Sequence, residues 1–299
     1  MKSLLLVSIS LLSFLNCIPQ NKDTSSLTNQ QFNTLLWKVT RKDLKHPSYI
    51  FGTMHILCAD DAKLSDSLKN IISGVDEIYF EIDMTDMKGM INAIKYMRMN
   101  DDRKLSDLLS DEDYAKVKNY FEKHASMLPF SMLEHFKPML ISSLMEEDGL
   151  PCKTTNGMEL VIMKEGHDQH KKINGLETAE FQSSLFDSIP YKDQARDLVK
   201  YIDSSDEYKK MTDTLAEAYK TQDLNKIEQL TMKEDPGTAN FMDMFLYNRN
   251  RKWVQNMHYL LPQKSLLFAV GAGHLPGEQG ILSLLRKNGY TVLPLRNNR

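Results

Sequence analysis

Ser48-Tyr49-Ile50-Phe51-Gly52-Thr53-Met54-His55 and Leu266-Leu267-Phe268-Ala269-Val270-Gly271-Ala272-Gly273-His274 are built alike: an apolar run, then Gly-x-x-His. Each run is short and carries β-branched or aromatic residues, which predicts a buried strand. The glycine lets the backbone turn tightly, so the histidine is presented just past the strand's carboxyl end. In open α/β sheets that edge is where ligands bind. Gly-x-x-His alone is a weak pattern. With 13 Gly and 8 His in 299 residues, chance supplies about a third of one such pairing. Two at predicted strand ends point to a shared role without deciding it.

Outward from the first motif, Thr34–Thr40 alternates and predicts a strand, and the polar turn Arg41–Pro47 returns it to Ser48–Gly52 as a hairpin. Asp66–Ile72 has helical spacing and Glu77–Asp83 reads as the next strand, a parallel βαβ unit. Helices follow from Met87 to Met145, with Ser110 as a cap before three acidic residues and Pro129 and Pro138 as punctuation. Gly157–Lys164 is helical, Lys171–Glu177 is a short strand, and Thr178 caps another helix. Residues 193–233 are charged and helical in period, Asp235-Pro236-Gly237 breaks them, and Phe241–Leu260 is a further helix. A helix over Glu278–Lys287, with Gly289 as its cap, and a last strand at Tyr290–Leu293 complete the chain. The fold class is therefore α/β: a central mixed, largely parallel sheet flanked by helices, with a helical insertion at about 87–250 of a single domain over 34–299.

Charge and composition exclude some classes. The formal charge is −3, with 26% charged and 41% hydrophobic residues, so nothing suggests nucleic-acid binding. Residues 1–16 combine Lys2 with a short Leu-rich run, the pattern of a secretory signal too short to span a membrane comfortably. Cys17 at its end resembles a bacterial lipoprotein acceptor, although Asn16 and Phe14 depart from the usual flanks. Residues 17–33 then read as a flexible tether, and the expected location is the bacterial cell envelope, held to the membrane by lipid. Cys58 and Cys152 remain as a pair that an oxidising compartment could close into a disulfide or leave as two thiols.

Leu36-Trp37-Lys38-Val39, Tyr49–His55, Phe80-Glu81, Gly175-Leu176-Glu177, Arg249-Asn250 with Trp253, and Val270–Gly289 together resemble the TraB/GumN family, whose animal relatives are the Tiki proteases. The resemblance spans nearly all of the chain after residue 35. It implies a metal-dependent hydrolase acting on a peptide or protein. It also leaves an alternative, because proteins of related fold bind haem and some family members restrain peptide signals: a non-catalytic haem- or peptide-binding envelope lipoprotein.

Four polar residues lie at or near predicted strand ends: His55, Glu81, Glu177 and His274. Imidazole and carboxylate are ligands for zinc, manganese or cobalt, and three of them leave positions for water. We take His55, Glu81 and His274 as the candidate metal ligands. Glu177 is the candidate fourth ligand or general base, and Arg249 the candidate donor to developing negative charge. Each has a bland counterpart: a core histidine satisfied by a carbonyl, a carboxylate on a solvated face, a helix-start acid, a surface ion pair. A metal-free reading, His55 as general base beside Glu81, also stands.

Overall fold

The computed structural model describes residues 33–124, 128–145, 150–233 and 241–298. The signal segment, Cys17 and the tether lie outside the described residues, as does the Asp235-Pro236-Gly237 break.

A six-stranded sheet organises the described chain. Its strands are β1 (Leu36–Thr40), β2 (Ser48–Thr53), β4 (Glu77–Ile82), β6 (Lys172–Glu177), β7 (Leu266–Gly271) and β8 (Thr291–Pro294). Two short strands, β3 (Leu57–Cys58) and β5 (Thr155–Asn156), pair separately. The order across the main sheet is β6-β4-β7-β2-β1-β8. The first four of these run parallel, and β1 is antiparallel to both β2 and β8. The expected βαβ unit is thus present with a guest. Helix α1 (Asp66–Gly74) carries β2 over to β4, but β7, from the far end of the chain, lies between them.

Strand β7 can take that place because its side chains are apolar on both faces, as a parallel strand covered on both sides requires. Leu267 and Ala269 join Phe51, Ile78 and Phe80 in one core. Leu266, Phe268 and Val270 join Ile50, Trp253 and Met257 in the other. All five residues from Leu266 to Val270 are at most 1% exposed, and each large side chain so buried contributes about 1.5–3 kcal/mol.

The remaining helices are α2 (Met87–Met97), α3 (Asp111–Lys123), α4 (Phe130–Leu133), α5 (Pro138–Ser143), α6 (Met158–Asp168), α7 (Ala179–Leu185), α8 (Tyr191–Asp203), α9 (Ser205–Lys220), α10 (Leu224–Lys233), α11 (Asn248–Leu260) and α12 (Ile281–Lys287). The expected caps form: Ser110 accepts from the Asp113 N–H, and Thr178 from that of Phe181. Gly289 takes φ +82° after α12, the left-handed value a helix-ending glycine supplies at little cost. Strand β6 interrupts the helical insertion and forms an edge of the main sheet. The charged stretch 193–233, helical in period, falls into α8, α9 and α10. The segment expected as a helix from Phe241 is helical throughout and contains a π-helical turn, Asp243–Tyr247, in which the Asn248 N–H reaches back five residues to the Asp243 carbonyl.

Candidate active site

The four parallel strands deliver their carboxyl ends to one edge. Register places Thr53 beside Gly271, Phe80 beside Ala269, and Ile82 beside Glu177. Across the edge the candidate residues therefore stand in the order Glu177, Glu81, His274, His55.

Glu81 is 7% exposed. Its Oε1 accepts the Gly271 N–H at 2.8 Å, and its Oε2 accepts from Arg249 Nη2 at 2.6 Å and from Gln182 Nε2 at 2.9 Å. A Cβ on Gly271 would lie 3.0 Å from Glu81 Oε1, so the motif glycine permits this close approach. Burial opposes ionisation of Glu81. The positive charge of neighbouring His274 when protonated, of Arg249 and of His55, together with the Gly271 N–H, outweighs it and holds the carboxyl down at about 2.

His274 is 5% exposed and packs on Trp253 with ring centroids 4.5 Å apart. Its Nδ1 lies 2.6 Å from Asn250 Oδ1, while the Asn250 amide nitrogen donates to the Gln279 carbonyl at 2.9 Å. Nδ1 therefore carries the proton and Nε2 the lone pair. Nε2 lies 3.3 Å from Arg249 Nη1 and 3.7 Å from Glu81 Oε1. Burial pushes His274 down to about 3, with Glu81 opposing and the Arg249 charge reinforcing the shift. The ring is neutral at pH 7.

Arg249 is not a surface residue. Nε donates to Glu177 Oε1 at 2.9 Å, and Nη2 donates to Glu177 Oε1 and Glu81 Oε2, each at 2.6 Å. Nη1 donates to the Phe245 carbonyl at 2.7 Å and faces His274. All of its N–H groups have partners, so in this arrangement the guanidinium ties the site together and offers no free donor to the cleft. Glu177 is likewise engaged, its Oε2 accepting from Trp253 Nε1 at 3.0 Å.

His55 stands apart from this locked cluster. Its side chain is 68% exposed, and its Nδ1 lies 2.8 Å from Glu159 Oε1 on α6, whose side chain is 9% exposed. The chain just before α6 presses on the same place: a Cβ on Gly157 would sit 2.5 Å from the His55 carbonyl oxygen. The Met158 N–H also bonds the Met54 carbonyl at 3.0 Å. A disulfide joins Cys58 to Cys152 with Cα atoms 5.7 Å apart, so the segments on either side of the His55–Glu159 contact are covalently tied. His55 is near enough for its charge to act on both Glu81 and His274.

Glu159, Gln182 and Asn250 are thus parts of the site that sequence reading did not assign to it. Asn250 was legible as a neighbour of Arg249. Glu159 carried one local signal, its position directly after Gly157-Met158 at a helix start.

Among the described residues no group of three or more His, Cys, Asp or Glu side chains is drawn close enough to hold an ion. The donor chemistry nonetheless suits one. An ionised carboxylate faces the lone pair of an imidazole whose other nitrogen is fixed by an amide oxygen, the support that metal-binding histidines ordinarily receive.

Similar proteins include a Metalloprotease TIKI homolog of Nematostella vectensis, 23% identical over 92% of this chain and 69% of its own length. Metalloprotease TIKI1 of Homo sapiens is 24% identical over 88% and 62%. A TIKI homolog of Amphimedon queenslandica is 26% identical over 96% and 66%. The chain thus spans roughly two thirds of these relatives' length. No solved structure matches it. The model of the TraB/PrgY/gumN family matches residues 35–294, both Gly-x-x-His motifs included, and the chain belongs to that family.

Proposed function

We propose that this protein is a metal-dependent hydrolase of the bacterial cell envelope, acting on peptides. The observation that carries the reading is the arrangement at the sheet edge, where an ionised Glu81 near the end of β4 and a neutral, tautomer-fixed His274 just past the end of β7 stand side by side, with His55 just past the end of β2. His55, Glu81 and His274 would hold a divalent ion, of the zinc, manganese or cobalt type. When bound, such an ion supplies a Lewis acid and brings the deprotonation of water toward neutral pH.

The other residues keep those donors ready. Asn250 holds the His274 proton on Nδ1. Glu159 orients His55. Glu177 and Arg249 act as a pair: Glu177 fixes the guanidinium, and the guanidinium keeps Glu81 ionised and aimed. Release of Arg249 from Glu177 would free a donor for charge developing on the substrate carbonyl oxygen, and free Glu177 to take a proton. The names of the relatives support the hydrolase class, and the paired motifs support the donor set. The Lys2, Leu-rich and Cys17 pattern supports export and a lipid anchor at Cys17.

The test is metal analysis joined to turnover. Wild type and a His55→Ala, His274→Ala double variant are stripped with a chelator, reloaded with each ion, and incubated with a peptide mixture read by mass spectrometry. We expect ion retention and cleavage by wild type only. Full cleavage after chelation would leave His55 as a metal-free general base. No cleavage with any ion, and a Soret band on adding haem, would make the protein a binder. For the anchor, Cys17→Ala should move the protein from the detergent phase to the aqueous phase, and equal partitioning would overturn it.

A further inference from the structure

We propose that the cleft beside His55 is a subsite for a bulky apolar, preferentially aromatic, side chain of a peptide. The inference rests on the peptidase reading above for the kind of chain it receives. The cleft has a volume of about 750 Å³, within the range of sites that enclose small ligands. It begins at the strand ends, where His55, Gly271 and Gly273 line it, and runs out under the helices. It is therefore continuous with the candidate active site.

Its wall favours a ring. Phe186 and Phe241 flank Phe245, with ring centroids 5.3 and 4.7 Å from it, distances at which a further aromatic ring would add favourable contacts. Met211 and Leu215 of α9 also line the cleft, and methionine adapts to side chains of different shape. The charged side chains that line it away from His55 are Asp197, Glu207, Lys200 and Lys233. Two of each sign leave no net charge to select an ionic group.

A second observation points to a ligand here. Thr53, the residue inside the first motif, lines the inner end of the cleft and is 2% exposed. Its Oγ1 is buried without a hydrogen-bond partner. A buried hydroxyl left unpaired is unfavourable, and a backbone group of a bound peptide would satisfy it. Phe245 links this cleft to the chemistry, because its ring lies on the wall while its carbonyl holds Arg249 Nη1. Filling the subsite should thus raise kcat as well as lower KM.

The test uses acetylated, amidated pentapeptides Gly-Gly-X-Gly-Gly with X as Phe, Leu, Ala, Lys or Asp. Calorimetry on the full-length chain stripped of metal measures binding without turnover, and the metal-loaded chain then gives kcat and KM. We expect X as Phe to bind at least about tenfold more tightly than X as Ala, with Lys and Asp no better than Ala. Phe241→Ala, Phe245→Ala and Met211→Ala should each shrink that preference, read as the ratio of the two peptides' affinities. Met211 sits on α9 and the two phenylalanines on the helical segment leading into α11, and a thermal melt of each variant identifies any that fails to fold. Equal binding of Phe and Ala peptides, or a preference that survives in every folded variant, would overturn the subsite. So would haem displacing the Phe peptide with a Soret band. If the preference holds but no metal-loaded form cleaves any peptide, the hydrolase reading fails and the subsite stands. If peptides are cleaved without regard to X, the subsite fails and the hydrolase stands.

Discussion

The two Gly-x-x-His ends share a pattern and a sheet edge, yet they are opposite in state. His274 is 5% exposed and contacts Asn250, Trp253 and Arg249, whereas the side chain of His55 is 68% exposed and is held through Glu159. The first half is braced from outside, by a disulfide and by the segment leading into α6. The second is braced from inside, by an ion-pair network sealed under α11. A metal ligand can be prepared in either way. Burial fixes a protonation state, while exposure leaves the donor accessible to the cleft.

Breaking the inner half should have the largest effect. Glu81→Ala leaves Arg249 with Glu177 as its one carboxylate and the Gly271 N–H without its acceptor, and removing one partner of a buried pair costs about 3–5 kcal/mol. Chemical denaturation should show that loss together with complete loss of hydrolysis. A smaller loss would mean that Glu177 alone suffices to hold Arg249.

The histidines test the comparison directly. His274→Ala should cost about 2–3 kcal/mol, because it opens a cavity and leaves Asn250 without a partner. His55→Ala should stay within about 0.5 kcal/mol, as exposed substitutions do. Both should abolish hydrolysis. Equal destabilisation would erase the distinction drawn here.

Acid sharpens it further. In the metal-free protein the buried His274 stays neutral down to about 3, from an ordinary value of 6.5. Between those values the unfolded chain binds the proton and the folded one does not, so stability falls as pH falls. The slope reaches at most about 1.4 kcal/mol per pH unit. Glu81, held at about 2 against 4.5, acts in the same direction only below that upper value. The interval from pH 6.5 to 4.5 therefore belongs to His274, and His274→Gln should flatten urea midpoints there. An unchanged slope would mean that the ring protonates in the fold.

The smallest change in stability is expected at Glu159. Glu159→Gln should weaken metal affinity by about 10–100-fold, the usual effect of losing a ligand's orienting partner. The melting temperature should barely move. Undiminished metal affinity would show that His55 needs no orientation.

Much of this was legible in sequence, and the reasons for the exceptions are physical. Strand ends are local features, so the glycines and the alternating or continuous apolar runs sufficed for β2, β4, β6 and β7. The place of β7 between β2 and β4 was not legible, because a strand buried on both faces carries no mark of its neighbours. Arg249 was legible as a candidate donor, but its tie to two carboxylates was not, because a helix gives no sign of what its basic residues meet. Its partners Glu81 and Glu177 are 168 and 72 residues away. Glu159 was hidden for the same reason, lying in a segment whose helical period explained it fully without His55.

The central position of β7 also bears on how the molecule comes into being. Until Leu266–Gly271 has left the ribosome, β2 and β4 have no strand between them, and each presents an open backbone edge of the kind that invites pairing with other chains. A nascent chain ending before residue 266 lacks both His274 and the strand that joins the two halves of the sheet edge. The sheet edge that gathers Glu81, His274 and His55 is therefore complete only once residues 266–274 have been made, long after the strands on either side of β7.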